Sequence, residues 1–177
     1  MSAEEVAANQ RWRLVAATAA LVAGRGVGQV TARAIAQEAG VSSSTLYRLL
    51  GGADGALLAT FEAAADALTQ AIAGEIEGTG SARLTAACEW AASEPQLAAM
   101  LGSGPAVALP DVAAARERLV VGLVDPFVPH LRGCDSDVET LRRLLAAAVL
   151  TTIAERVVLL DQAAARRLGG ELAARLQ

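Results

Sequence analysis

Between residues 42 and 48 the chain reads SSSTLYR, four hydroxyls followed by a phenol and a guanidinium. Serine and threonine compete for backbone hydrogen bonds and weaken a helix interior. They suit its first turn, where backbone N–H groups lack partners. A helix that starts this way favours an anion: its free N–H groups and dipole attract one, and short side chains let it approach. Ser42, Ser43, Ser44, Thr45, Tyr47 and Arg48 can donate to phosphates or base edges. Taken alone, the hydroxyls also fit a capped surface helix with solvated serines.

The rest of the inventory excludes several classes. The 177 residues contain one histidine, His130, and no lysine, so Schiff-base chemistry and a P-loop lysine are absent. No metal-ligand spacing and no nucleophile elbow occurs, and no acid–base pairing in the sequence supports a site built on Glu89, so the reading is not an enzyme. Cys88 and Cys134 are too few and too far apart for a disulfide framework or a zinc site. They read as buried thiols in a reducing compartment, and no cofactor or metal is expected. A net charge of −4 argues on its face against nucleic acid. The first 55 residues, however, set Arg11, Arg13, Arg25, Arg33 and Arg48 against Glu4, Glu5, Glu38 and Asp54, and the acidic excess lies beyond them. Leu14–Ala23 could pass for a signal-peptide core, but Glu4 and Glu5 sit badly in such a leader. The apolar run Leu144–Ala154 is too short to span a bilayer. A cytoplasmic protein without membrane partners is the expectation.

The elements around the hydroxyl run read as helices, because the chain is 54% hydrophobic with only 3% aromatic residues, and Ala and Leu dominate. The fold class is all-α. A first helix is expected over 9–24, closed by Gly24 and Gly26. Thr31 caps a second to about Ala39, Gly40 supplies a turn, and Ser42 caps a third to about Leu50. Gly51 and Gly52 break the chain before a long helix over about 56–76, and 78–81 is a loop. Helices follow over 82–93 and 95–101, the second with Ser93 and Pro95 as a start signal. A loop over 102–110 leads to a helix over 111–124. Pro126, Pro129 and Gly133 interrupt the chain before a long helix from Asp135 or Asp137 to about Leu160 and a helical tail over 161–177.

Helix, short glycine turn, helix is the geometry that places a second helix in the DNA major groove. Ala36 is small where the two helices cross, Gly40 can take the left-handed conformation, and Val41 and Leu46 tie the third helix to the first. The sequence TARAIAQEAGVSSSTLY, residues 31–47, resembles the recognition motif of the TetR family of bacterial transcriptional repressors. The resemblance spans about 11–61 and includes Gly26 and ALLATF; the remainder matches only in being helical. It implies a helix-turn-helix domain over 1–55 and a helical effector-binding and dimerisation domain over 56–177. The implied protein is a homodimer on a palindromic DNA operator, released by a small-molecule effector. Carried over by position, Thr31 and Arg33 contact DNA from the second helix, and Ser42, Ser43, Ser44, Thr45, Tyr47 and Arg48 from the third. Where the family usually has histidine, phenylalanine and a later lysine, this chain has Leu49, Leu50 and Ala53. Every phosphate that a protein no longer neutralises lowers the salt slope by about 0.9. Weaker or less salt-dependent binding is therefore expected, with Arg48 and a mobile segment carrying Arg11 and Arg13 compensating.

In the second half, residues 141–160 are apolar nearly all round, which calls for burial on two sides. One side suits the domain interior and the other, with the final helix, a homodimer interface; a single monomeric helical core is the alternative. Candidate ligand-pocket residues are Cys88, Trp90, Met100, Phe127, Thr151 and Thr152, with Glu89 or Arg156 as polar anchors and a largely apolar effector. Each also fits ordinary core or surface, and His130 reads as a helix-end residue. A second functional reading is a helical ligand- or protein-binding dimer whose DNA module is weakened or non-functional.

Overall fold

A computed structural model of the chain describes residues 2–73, 80–103, 108–124 and 167. Among these residues the fold is all-α: α1 (Ala3–Arg25), a 3-10 turn (Val27–Gln29), α2 (Ala32–Ala39), α3 (Ser43–Leu50), α4 (Ala53–Ala73), α5 (Gly80–Ser93), α6 (Pro95–Leu101) and α7 (Pro110–Val124). No helix among them is long and apolar enough to cross a membrane.

The first helix begins at Ala3, well before the expected Asn9. Ser2 and Glu5 form a capping box: the Glu5 N–H donates to Ser2 Oγ at 3.1 Å, and the Ser2 N–H donates to Glu5 Oε2 at 2.7 Å. Two otherwise unpaired N–H groups are satisfied, so the helix extends back by two turns. Arg11 and Arg13 consequently lie inside α1, not on a mobile segment ahead of it. The fourth helix also starts early, at Ala53, because Gly52 itself serves as its cap: the Ala56 N–H donates to the Gly52 carbonyl at 3.0 Å.

One core runs through these helices. Leu14, Ile35, Leu46, Phe61, Leu68, Met100, Leu101 and Val112 are almost wholly buried. Helix α1 packs against α2, α4 and α6, and α4 against α5, α6 and α7. The two buried threonines close their own backbones: Thr18 Oγ1 donates to the Leu14 carbonyl and Thr60 Oγ1 to that of Ala56. The two tryptophans differ sharply. Trp12 of α1 is 57% exposed, whereas Trp90 of α5 is 8% exposed. The expected helices over 135–160 and 161–177 lie outside the described residues, apart from Arg167.

Candidate nucleic-acid interface

Helix α2 starts where the Thr31 side chain accepts the Ala34 N–H at 3.2 Å. It ends at Gly40, which takes the left-handed conformation (φ 63°, ψ 39°). There the Gly40 N–H reaches the Gln37 carbonyl at 3.1 Å and the Val41 N–H the Ala36 carbonyl at 3.0 Å. This paired closure turns the chain sharply while satisfying carbonyls at the helix end. A side chain at position 40 would be strained by φ and would also meet Arg13 Nη2, 2.7 Å from the Cβ position.

Ser42 then opens α3, and its hydroxyl sits at the centre of a small network. Ser42 Oγ accepts the Thr45 N–H at 3.1 Å and lies 2.8 Å from Ser44 Oγ and 2.9 Å from Thr45 Oγ1. The hydroxyl run thus builds the helix start and fixes its own side chains. Leu46 and Leu50, one turn apart, are buried and hold the inner face. Two outward pairs at the same spacing remain, Ser43 with Tyr47 and Ser44 with Arg48, all four exposed. Thr45 is half-buried, and Thr31 and Arg33 are exposed at the start of α2. One face therefore presents hydroxyls, a phenol and two guanidiniums, and neither Arg33 nor Arg48 is engaged among the described residues. Such a face can donate to phosphate oxygens and to acceptors on base edges.

The junction after α3 is equally constrained. The Tyr47 ring rests on Gly52, where a Cβ would come within 3.1 Å of its Cε1, and φ at Gly52 is 121°. At Gly55 a Cβ would overlap the Leu50 carbonyl oxygen. Leu50 is buried, and Leu49 and Ala53 are half-buried against the core. The positions that lack the family's usual histidine, phenylalanine and lysine are thus packing positions here.

Arg11 and Arg13 reach along the surface to the ends of α3 and α2. Arg11 Nη1 donates to the Leu49 carbonyl at 3.2 Å, and Arg13 Nη2 to that of Gly40 at 3.4 Å. These ties link residues 38 and 27 positions apart, so no local signal in the sequence reveals them. Gly52 and Gly55 are more accessible to sequence reading, since glycines so placed mark a close approach between two helices.

The candidate ligand residues lie elsewhere. Cys88, Trp90 and Met100 are buried in the core, and Glu89 is half-buried. Burial, reinforced by the Glu89 carboxylate, pushes the Cys88 thiol up to about 11. Phe127, Thr151, Thr152, Arg156 and His130 lie outside the described residues. Two open clefts flank α4. One, of about 390 Å³, lies against α7 and is lined by Glu62, Asp66, Thr69, Arg118 and Leu119. The other, of about 320 Å³, lies against α1 at Trp12, Glu62 and Asp66. Both are rimmed by charge, and neither includes Cys88, Trp90 or Met100.

A three-helix unit with a capped, outward-facing third helix is a helix-turn-helix module. Residues 14–49 match the family model of bacterial regulatory proteins, tetR family. In fold the chain is similar to several solved transcriptional regulators. It is similar to a transcriptional regulator from Rhodococcus sp. Rha1, with a TM-score of 0.69 and 18% identity over 94% of this chain and 95% of that one. It is similar to the fatty acid degradation regulator FadR from Bacillus halodurans, with a TM-score of 0.68 and 14% identity over 93% and 94%. The TetR family regulator PfmR from Thermus thermophilus gives a TM-score of 0.60 and 18% identity over 92% and 94%. No curated protein matches the chain.

Proposed function

We propose that the protein is a ligand-responsive transcriptional repressor that binds a palindromic DNA operator as a homodimer. The observation that carries this reading is the face of α3, where Ser43, Ser44, Tyr47 and Arg48 point outward while Leu46 and Leu50 fix the helix to the core. A side-chain set of short donors on a helix N-terminus suits the major groove, with Thr31 and Arg33 reaching phosphates from α2 and Ser42 and Thr45 fixing the start of α3. The two C-terminal helices form the dimer contact, and a small, largely apolar effector held in the helical body releases the DNA. Residues 1–55 act as the DNA-binding domain and 56–177 as the effector domain.

Arg33 and Arg48 are the guanidiniums of this face, so a dimer makes few phosphate contacts. The logarithm of the binding constant then falls with the logarithm of salt with a slope of about −4. A gel shift with the DNA flanking the gene tests the reading: a retarded band at low salt, absent in Arg48→Ala and Tyr47→Ala, is expected. Unchanged affinity in both variants would overturn the assigned surface. The half-burial of Leu49 and Ala53, where family members carry cationic groups, favours a second reading. In it, a helical ligand- or protein-binding dimer keeps a folded but weakened DNA module. Absence of any shift at low salt from a folded dimer would select it.

A further inference from the structure

Burial of Leu46 and Leu50 sets which face of α3 turns inward but holds its angle only loosely, because hydrophobic contact has no direction. Direction comes from hydrogen bonds, and α3 receives one at its C-terminal end from another element. The last carbonyls of a helix lack intrahelical partners and carry its negative pole. In α3 the Tyr47 carbonyl accepts the Gly51 N–H at 2.9 Å, and the Leu49 carbonyl accepts Arg11 Nη1. At the end of α2, the Gly40 carbonyl accepts Arg13 Nη2. Just beyond the two arginines lies Leu14, fully buried, so both guanidiniums project from a fixed stretch of α1. Each helix of the turn therefore has a cation from α1 at its C-terminal end.

We propose that Arg11 and Arg13 are positioning residues for DNA recognition: they set the angle at which α3 presents Ser43, Ser44, Tyr47 and Arg48 and do not themselves contact DNA. The inference rests on the DNA-binding reading above. A guanidinium that bonds a protein carbonyl and neutralises a helix pole adds nothing to counterion release. Its removal lets α3 rotate about the Leu46–Leu50 seam, which displaces the outward side chains and blurs base discrimination. Phosphate attraction by Arg33 and Arg48 tolerates such a rotation.

The test uses the full chain and two probes: a duplex selected by the wild type from a random pool, and a random-sequence duplex of equal length. Arg11→Gln and Arg13→Gln are compared with the wild type over roughly 50 to 200 mM salt, a range in which phosphate contacts show clearly. Both side chains are exposed, so folding should survive, as circular dichroism will confirm. Affinity for the selected duplex should fall about tenfold in Arg11→Gln and about threefold in Arg13→Gln, in keeping with one charge-assisted bond each, the longer one weaker. Affinity for the random duplex and both salt slopes should stay unchanged. A parallel drop on both duplexes, with the slope reduced by about 0.9 per arginine, would make the arginines phosphate contacts and overturn this inference alone. Full retention of discrimination in both variants would also overturn it. A wild type that selects no sequence would remove the DNA-binding reading, and this inference with it.

Discussion

Helices α1, α2 and α3 begin at Ser2, Thr31 and Ser42, each with its hydroxyl accepting a backbone N–H of the first turn. Each ends at a glycine of positive φ: Gly26, Gly40 and Gly51. In the body, α6 begins at Glu94, whose side chain caps nothing, and ends at Gly102 in ordinary right-handed geometry. The three helices of the N-terminal unit are thus bounded by hydrogen bonds written into their own sequence. Helix α6 is bounded by Pro95 at its start and by the burial of Leu97, Ala98, Met100 and Leu101. A surface that must match a rigid duplex needs its register set residue by residue, while a body helix needs only to fill its space.

The largest effect that could break this contrast comes from the shared core. Phe61, fully buried on α4, should cost about 4 kcal/mol as Phe61→Ala and destabilise both regions together, since α4 packs against α1 as well as α6. Separate melting transitions for the two regions in that variant would show that they are energetically independent. Next comes the junction between α3 and α4. Gly55→Ala should cost about 3 kcal/mol, because the new methyl overlaps the Leu50 carbonyl and the two helices must part. Denaturant midpoints measure this, and an unchanged midpoint would mean that the junction yields freely.

Capping sharpens the contrast directly. Ser42→Ala removes the acceptor for the Thr45 N–H and the centre of the hydroxyl network, and should cost about 1 to 2 kcal/mol. Glu94→Ala, at the start of α6, should change stability by less than about 0.5 kcal/mol. Equal destabilisation by the two in urea titrations would erase the distinction.

At neutral pH the smallest effect belongs to Cys88. Its thiol ionises at about 11 instead of 9.0, so both folded and unfolded chains keep it neutral below pH 9 and stability is unaffected there. Between 9 and 11 only the unfolded chain gives up the proton, and stability falls as pH rises through that window. At neutral pH the thiolate fraction is roughly a hundredfold lower than for a free thiol. Alkylation by iodoacetamide, read at the peptide that carries Cys88 so that Cys134 does not contribute, should therefore be far slower in folded than in unfolded protein, and fast labelling of that peptide in folded protein would place Cys88 nearer the surface.

The same contrast explains what can be read from the sequence. Thr31, Gly40 and Ser42 carry strong local signals, and the helices fall where those residues set them. Pro95 and Gly102 likewise bound α6. The start of α1 is obscured because alanine gives little contrast between faces: Ala8 and Ala16 are exposed while Ala17 and Ala19 are buried. The glycine pair before α4 reads as a break, although Gly52 is the cap of that helix. The engagement of Arg11 and Arg13 by protein carbonyls is not legible at all. Their partners are carbonyls far along the chain, and backbone carbonyls leave no mark on residue identity.

The placement of the two indoles has a practical consequence. Because Trp12 stands in solvent on α1 and Trp90 is enclosed on α5, the chain carries one tryptophan in each region. Trp12 should emit to the red and be quenched readily by iodide, and Trp90 should emit to the blue and resist quenching. Unfolding of the two regions should then be followed separately in one unlabelled sample, each by its own colour.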